Sequence, residues 1–161
     1  MELSQDLNNI LHLYLGVVVV FDQGADPRQR HILKNSIWPS DNKMYADTLV
    51  GLMAFTKWSI PEKEAFKNCN KLKYIIGIPP TLGSNINGMF YKATSFNSDV
   101  SAWDVSSVSV MSGMFEEADS FNQPLDQWDV SSVNNMAFMF EGASSFNQPL
   151  EQWDVSNVKN M

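Results

Sequence analysis

One cysteine, two histidines and no hydrophobic run of membrane length set the first limits on this chain of 161 residues. With Cys69 alone, neither an intrachain disulfide nor a zinc site built from several cysteines can form. The apolar run at residues 10–21 covers 12 positions, short of the ~20 that a membrane-spanning helix needs. Glu2 and Asp6 precede it, where a secretory leader carries Lys or Arg, and no Ala-x-Ala pattern follows, so no signal peptide is read. Compartment stays open, and no membrane insertion is expected.

Catalytic signatures are missing too. The chain has no Gly-x-Ser-x-Gly elbow, no glycine-rich phosphate loop and no His-Glu-x-x-His. His12 and His31 fall in separate expected elements with no acidic or cysteine cluster beside them, and both read as structural. No enzyme, cofactor or metal is expected, although residues 1–63 leave room for a separate activity.

Positive charge is scarce where it would matter for phosphate. Residues 1–63 carry six Lys/Arg against seven Asp/Glu, whereas from Met89 onward only Lys92 and Lys159 oppose ten acidic residues. Such a surface lacks the electrostatic attraction that supplies most non-specific nucleic-acid affinity, so nucleic acid and anionic membrane are poor partners.

What the chain does have is a 25-residue unit written three times. The copies begin at Met89, Met114 and Met139, and each holds Met-Phe, Ala, Phe-Asn, an aliphatic residue, Trp-Asp-Val-Ser, Val and Met. Over the 23 positions they share, the second and third copies agree at 18 and the first and second at 13. A fixed period in this range marks a solenoid, in which each coil buries its apolar face on the next. Within a copy, Met139, Phe140, Ala143 and Phe146 fall on one face of a short helix or 3₁₀ segment. Pro124 and Pro149 then turn the chain. Leu150, Trp153 and Val155 have the parity of a short strand, with Asp154 and Ser156 on its opposite face. Asn97, Asn122 and Asn147 are expected to form an inward ladder satisfying turn amides.

Ahead of the copies, residues 64–88 look like a degenerate repeat. Ala65-Phe66, Cys69 and Leu72 keep the spacing of Met89-Phe90, Ala93 and Phe96. In residues 1–63, Leu3, Leu7, Ile10, Leu11 and Tyr14 recur at helical spacing, and Val17 to Phe21 reads as a short strand. Asp26-Pro27 opens a second expected helix, and residues 41–58 suggest a third. This gives a small, mainly helical cap over 1–63 and a repeat region over 64–161, divided at 89, 114 and 139. Met161 falls two residues short of a fourth Met-Phe pair. An open end of this kind exposes a strand edge and apolar core, so self-association through it is expected.

The string Phe-Asn-Gln-Pro-Leu-x-x-Trp-Asp-Val-Ser-x-Val-x-x-Met-x-x-Met-Phe resembles the repeats of BspA-like leucine-rich-repeat surface proteins, mycoplasma lipoproteins among them. The resemblance covers residues 65–161. It implies a leucine-rich-repeat-type, right-handed α/β solenoid with one short parallel strand per coil, and a role in adhesion or protein recognition at the cell surface.

The candidate surface is the strand face made by Ala102, Asp104, Ser106, Gln127, Asp129, Ser131, Gln152, Asp154 and Ser156. Like charges ~5 Å apart on neighbouring strands repel by about 0.8 kcal/mol per pair in water. Three things can offset this: hydrogen bonds to local amides and serines, a protein partner supplying Lys or Arg, or a calcium-type cation. Calcium fits least, since it takes roughly six to eight oxygens and each coil offers one carboxylate. The tryptophans and Met111, Met114, Met136 and Met139 read as core.

Overall fold

The computed structural model describes residues 10–14, 17–21, 49–54, 57–60 and 63–161, the first two segments by their backbone alone. A four-stranded sheet is ordered β1-β2-β3-β5, from β1 (Ile10–Tyr14), β2 (Val17–Phe21), β3 (Leu49–Ala54) and β5 (Tyr74–Gly77). β1–β2 and β2–β3 are antiparallel, while β3–β5 is parallel in the register Gly51–Tyr74 to Ala54–Gly77. Two short strands, β4 (Ser59–Ile60) and β6 (Thr81–Leu82), form a second parallel pair.

The strand expected at Val17 to Phe21 is present; where the helices expected over 3–14 and 41–58 fall on described residues, the backbone is not helical. Residues 10–14 and 49–54, both placed in helices by their apolar spacing, are strands on the two flanks of β2. Short apolar runs satisfy either period, and here a β-branched partner strand decides the matter through backbone pairing. No α-helix occurs among the described residues, so no described helix is long and apolar enough to cross a membrane. The helix expected after Asp26-Pro27 lies outside them. Gly51 lies under the Tyr74 ring, and a Cβ there would meet that ring and require it to shift.

From residue 63 onward the chain lays successive units side by side. Amide groups of one unit donate at every second residue to carbonyls of the next. Ile86, Gly88, Phe90 and Lys92 bond Val110, Ser112, Met114 and Glu116, at 2.8–2.9 Å. Met111, Gly113, Phe115 and Glu117 repeat the row onto Asn135, Ala137, Met139 and Glu141. The intervening amides of Met89, Tyr91 and Ala93 close turns within their own unit, onto Ile86, Gly88 and Phe90.

That alternation explains why the Met-Phe segment is not the helix its spacing suggests. Left-handed residues interrupt it at two phased positions: Glu64, Gly88, Gly113 and Phe138 (φ 57–60°), then Asn68, Lys92, Glu117 and Gly142 (φ 55–70°). A continuous helix would take every amide for itself and forfeit the bonds between units.

The tryptophan segment differs from expectation in the same way. It is not a strand: Trp103, Val108, Trp128 and Val133 close turns onto residues three earlier, at 2.9–3.1 Å. Parallel bridges between units are single and fall elsewhere, at Asn85–Val110, Val110–Asn135 and Asn135–Asn160.

The apolar assignment holds through the first two copies, while in the third Leu150 and Trp153 are partly buried and Val155 is exposed. Phe90, Phe96, Phe115, Phe121, Leu125, Val133, Met111 and Met114 are fully buried, and Trp103 and Trp128 nearly so. Phenylalanine rings form two columns through the units. Phe66, Phe90, Phe115 and Phe140 stack at 5.4, 5.5 and 5.7 Å, and Phe96, Phe121 and Phe146 at 5.9 Å per step. Ala93, Ala118 and Ala143 are buried beside them, where a larger side chain would push the units apart.

Candidate functional site: an acidic row and a lateral groove

The first two Trp-Asp-Val-Ser segments bury Trp and Val, the third leaves Trp153 half-buried and Val155 exposed, and all three leave Asp outside. Asp104, Asp129 and Asp154 are exposed, as are Ala102, Ser106, Gln127, Gln152 and Ser156, with Ser131 half-buried. All nine expected surface positions therefore reach solvent, though on a turn rather than on a strand.

The aspartates are held from within. The Oδ1 atom of Asp104 accepts the Ser106 amide at 3.0 Å and the Ser106 hydroxyl at 2.6 Å. Asp129 takes the same two bonds from Ser131, at 3.1 and 2.6 Å, and Asp154 accepts the Ser156 amide at 3.0 Å. Hydrogen bonding to the charged form, from the serine side chain first, holds all three carboxyls below their ordinary range. Asp129 has a like charge on each side, and the repulsion of Asp104 and Asp154 works against that lowering. The row is thus a set of ionised, locally fixed carboxylates in phase with the repeat. Among the described residues no group of three or more His, Cys, Asp or Glu could hold a metal ion.

An asparagine ladder sets the spacing of the turns before this row. Asn97 Oδ1 accepts the Asn122 amide and the Gln123 side-chain nitrogen, both at 2.9 Å. Asn122 Oδ1 in turn accepts the Asn147 amide at 2.9 Å and Gln148 Nε2 at 3.0 Å. The indole nitrogens add a second tie between units, from Trp128 to the Val100 carbonyl and from Trp153 to that of Leu125.

A different surface follows the left-handed column. Gly88 and Gly113 have no side chain, and a groove of about 280 Å³ runs over them. Glu64, Tyr91 and Glu116 line it, and Phe138 lies at its third-copy end. Two lysines are already engaged there. Lys67 pairs with Glu64 at 3.0 Å and lies 5.3 Å from the centre of the Tyr91 ring; Lys92 pairs with Glu117 at 3.4 Å and lies 5.0 Å from the same ring. Glu116 has no ion pair among the described residues, and burial, followed by the charges of Glu141 and Glu117, raises its carboxyl above the ordinary value against the smaller opposing pull of Lys92 and Lys67.

Phe138 is the anomaly of this surface. It occupies the position held by Gly88 and Gly113, keeps their left-handed backbone, and is 65% exposed. A bulky side chain is strained in that conformation. The sequence reading missed it, although comparing the copies column by column would have exposed the change from Gly to Phe.

No curated protein and no solved structure matches the chain. A protein-family model does, over residues 62–161, the stretch that carries both the acidic row and the groove. The chain therefore belongs to the family described as Mycoplasma protein of unknown function, DUF285.

Proposed function

We propose that the repeat region is a leucine-rich-repeat-type, right-handed solenoid of the BspA-like kind, serving as a non-enzymatic protein-recognition or adhesion module. Its partner is a protein with a basic surface, met by the face of Ala102, Asp104, Ser106 and their counterparts. The observation that carries this reading is the row of exposed aspartates, each kept ionised by its own serine, on a surface with little positive charge of its own. Complementary charge of this kind steers association and selects partners more than it adds affinity.

A second reading is a purely structural spacer. In its favour, the serine hydrogen bonds already satisfy the aspartates without any partner. Proteins captured by the immobilised chain and by its Asp104→Asn, Asp129→Asn, Asp154→Asn variant separate the two. Loss of basic proteins from the captured set supports recognition; an identical set supports the spacer.

Self-association belongs to the same proposal. The third copy's outer face has a cavity of about 420 Å³ lined by Met139, Phe140, Leu150, Trp153, Val155 and Met161. Apolar faces of this kind recruit other chains. Light scattering of the 161-residue chain across a concentration series tests this, with a mass that rises with concentration as the expected result.

A further inference from the structure

The lateral groove contains one arrangement in a filled form and in an unfilled one. Around Tyr91, an aromatic ring and a carboxylate share a cation twice: Lys67 lies over the ring and pairs with Glu64, and Lys92 lies over it and pairs with Glu117. At the groove's other end an aromatic ring and a carboxylate recur, now as Phe138 and Glu116. Glu141 adds a second negative charge that Glu116 feels. Among the described residues neither glutamate has an ion-pair partner.

Phe138 lines both this groove and the cavity on the third copy's outer face. Its side chain is 65% exposed, and its left-handed backbone suits the glycine that the two preceding copies place there. An exposed aromatic in a strained position, beside carboxylates that have no ion-pair partner among the described residues and with only the more distant pull of Lys92 and Lys67 on Glu116, fits a contact completed by another molecule.

We propose that Phe138 and Glu116 form a docking site for an arginine side chain on an extended segment of a partner protein. Arginine fits better than lysine because its planar guanidinium can stack on the ring while its N–H fork meets a carboxylate. The contact lies off the Trp-Asp-Val-Ser segments and does not depend on the role of the aspartates.

A fluorescein-labelled peptide of alternating Gly and Arg, followed by fluorescence anisotropy at physiological ionic strength, tests the site on the full chain. Phe138→Gly is expected to weaken binding about tenfold, the scale of a desolvated cation–aromatic contact. Its thermal midpoint should be no lower than that of the parent, which excludes unfolding as the cause. Phe138→Trp should restore binding, and Glu116→Gln should weaken the Arg peptide more than a Lys counterpart. Equal affinity of the parent and Phe138→Gly overturns the proposal, as does a parent chain that fails to bind the Arg peptide. Loss confined to the triple Asp→Asn variant also overturns it, by locating the arginine on the acidic row and leaving the recognition reading intact. If Phe138→Gly proves unstable, Phe138→Asn, which tolerates the same backbone, decides the question.

Discussion

The second and third copies agree at 18 of 23 positions, yet the same residues are in different environments. Phe115 and Phe121 are fully buried, while Phe140 and Phe146 are only partly so. Val130 is 1% exposed and Val155 40%. The second copy has a unit on both sides and the third on one. Burial in this region is therefore a property of neighbours as much as of sequence, as expected where each unit touches only the next.

Tryptophan gives the largest test of that difference. Trp128→Ala should cost roughly 3–5 kcal/mol through lost burial and the cavity left behind, and it also removes the indole's 3.1 Å bond to the Val100 carbonyl, which keeps only the Trp103 amide. Trp153→Ala should cost about half as much, because its ring is covered on one face only. Chemical denaturation measures both; equal losses would mean that the stack does not weaken toward its last unit.

The ladder of asparagines offers a sharper pair, since the two residues are chemically identical. Asn122 Oδ1 accepts two hydrogen bonds from the following copy, at 2.9 and 3.0 Å, while Asn147 Oδ1 accepts none among the described residues. Asn122→Ala should cost about 1–2 kcal/mol, the usual penalty for unmaking such bonds. Asn147→Ala should cost less than about 0.5 kcal/mol, the range of an ordinary surface change. Thermal unfolding of the two variants reads the difference directly.

How much of this could be read beforehand divides along side chain and backbone. The phase of Phe, Ala, Leu, Trp and Val identified the core, because burial depends on which residues recur. The bonding of the Asn97–Asn122–Asn147 ladder was legible for the same reason, but the ladder faces outward rather than inward, with Asn97 and Asn147 exposed, because the amides it satisfies lie on surface turns. Backbone type was not. The i, i+4, i+7 spacing of Met89, Ala93 and Phe96 is also produced by linked turns, with left-handed residues at Gly88 and Lys92 between them. Lys92, Glu117 and Phe138 carry no signal for that conformation, since tertiary bonding imposes it. Likewise Leu49 to Ala54 has helical spacing but becomes a strand because β2 and β5 flank it. On the candidate site, the aspartates and their serines were visible as a phased row, whereas the Gly-to-Phe change at 138 acquires meaning only once the column is known to be left-handed.

That column supplies a smaller effect. Phe138→Gly should stabilise the chain by about 1 kcal/mol, since a left-handed backbone costs an L-residue roughly that much more than glycine. Gly113→Phe should do the reverse, because it would place an L side chain on a left-handed backbone of φ 57°. Opposite signs in thermal midpoint would establish that the third copy carries strain which the second avoids.

The smallest effect concerns the order in which the aspartates take up protons. In each case serine hydrogen bonds stabilise the charged form, so the folded carboxyl titrates below the unfolded one. That sign makes the contribution to stability fully present above the unfolded value, near pH 4, and lost as pH falls through the folded value. Asp129 lies between two like charges whose repulsion opposes the lowering, so it should protonate before Asp104 as acid is added. Salt should narrow the gap, because repulsion between exposed charges is screened while the serine bonds are not. Carboxyl carbon shifts followed by NMR from pH 6 down to about pH 2 would give the order. A middle residue that titrates with or below Asp104 at low salt would show that neighbouring aspartates do not sense one another, and the acidic row would then act as separate charges rather than as one surface.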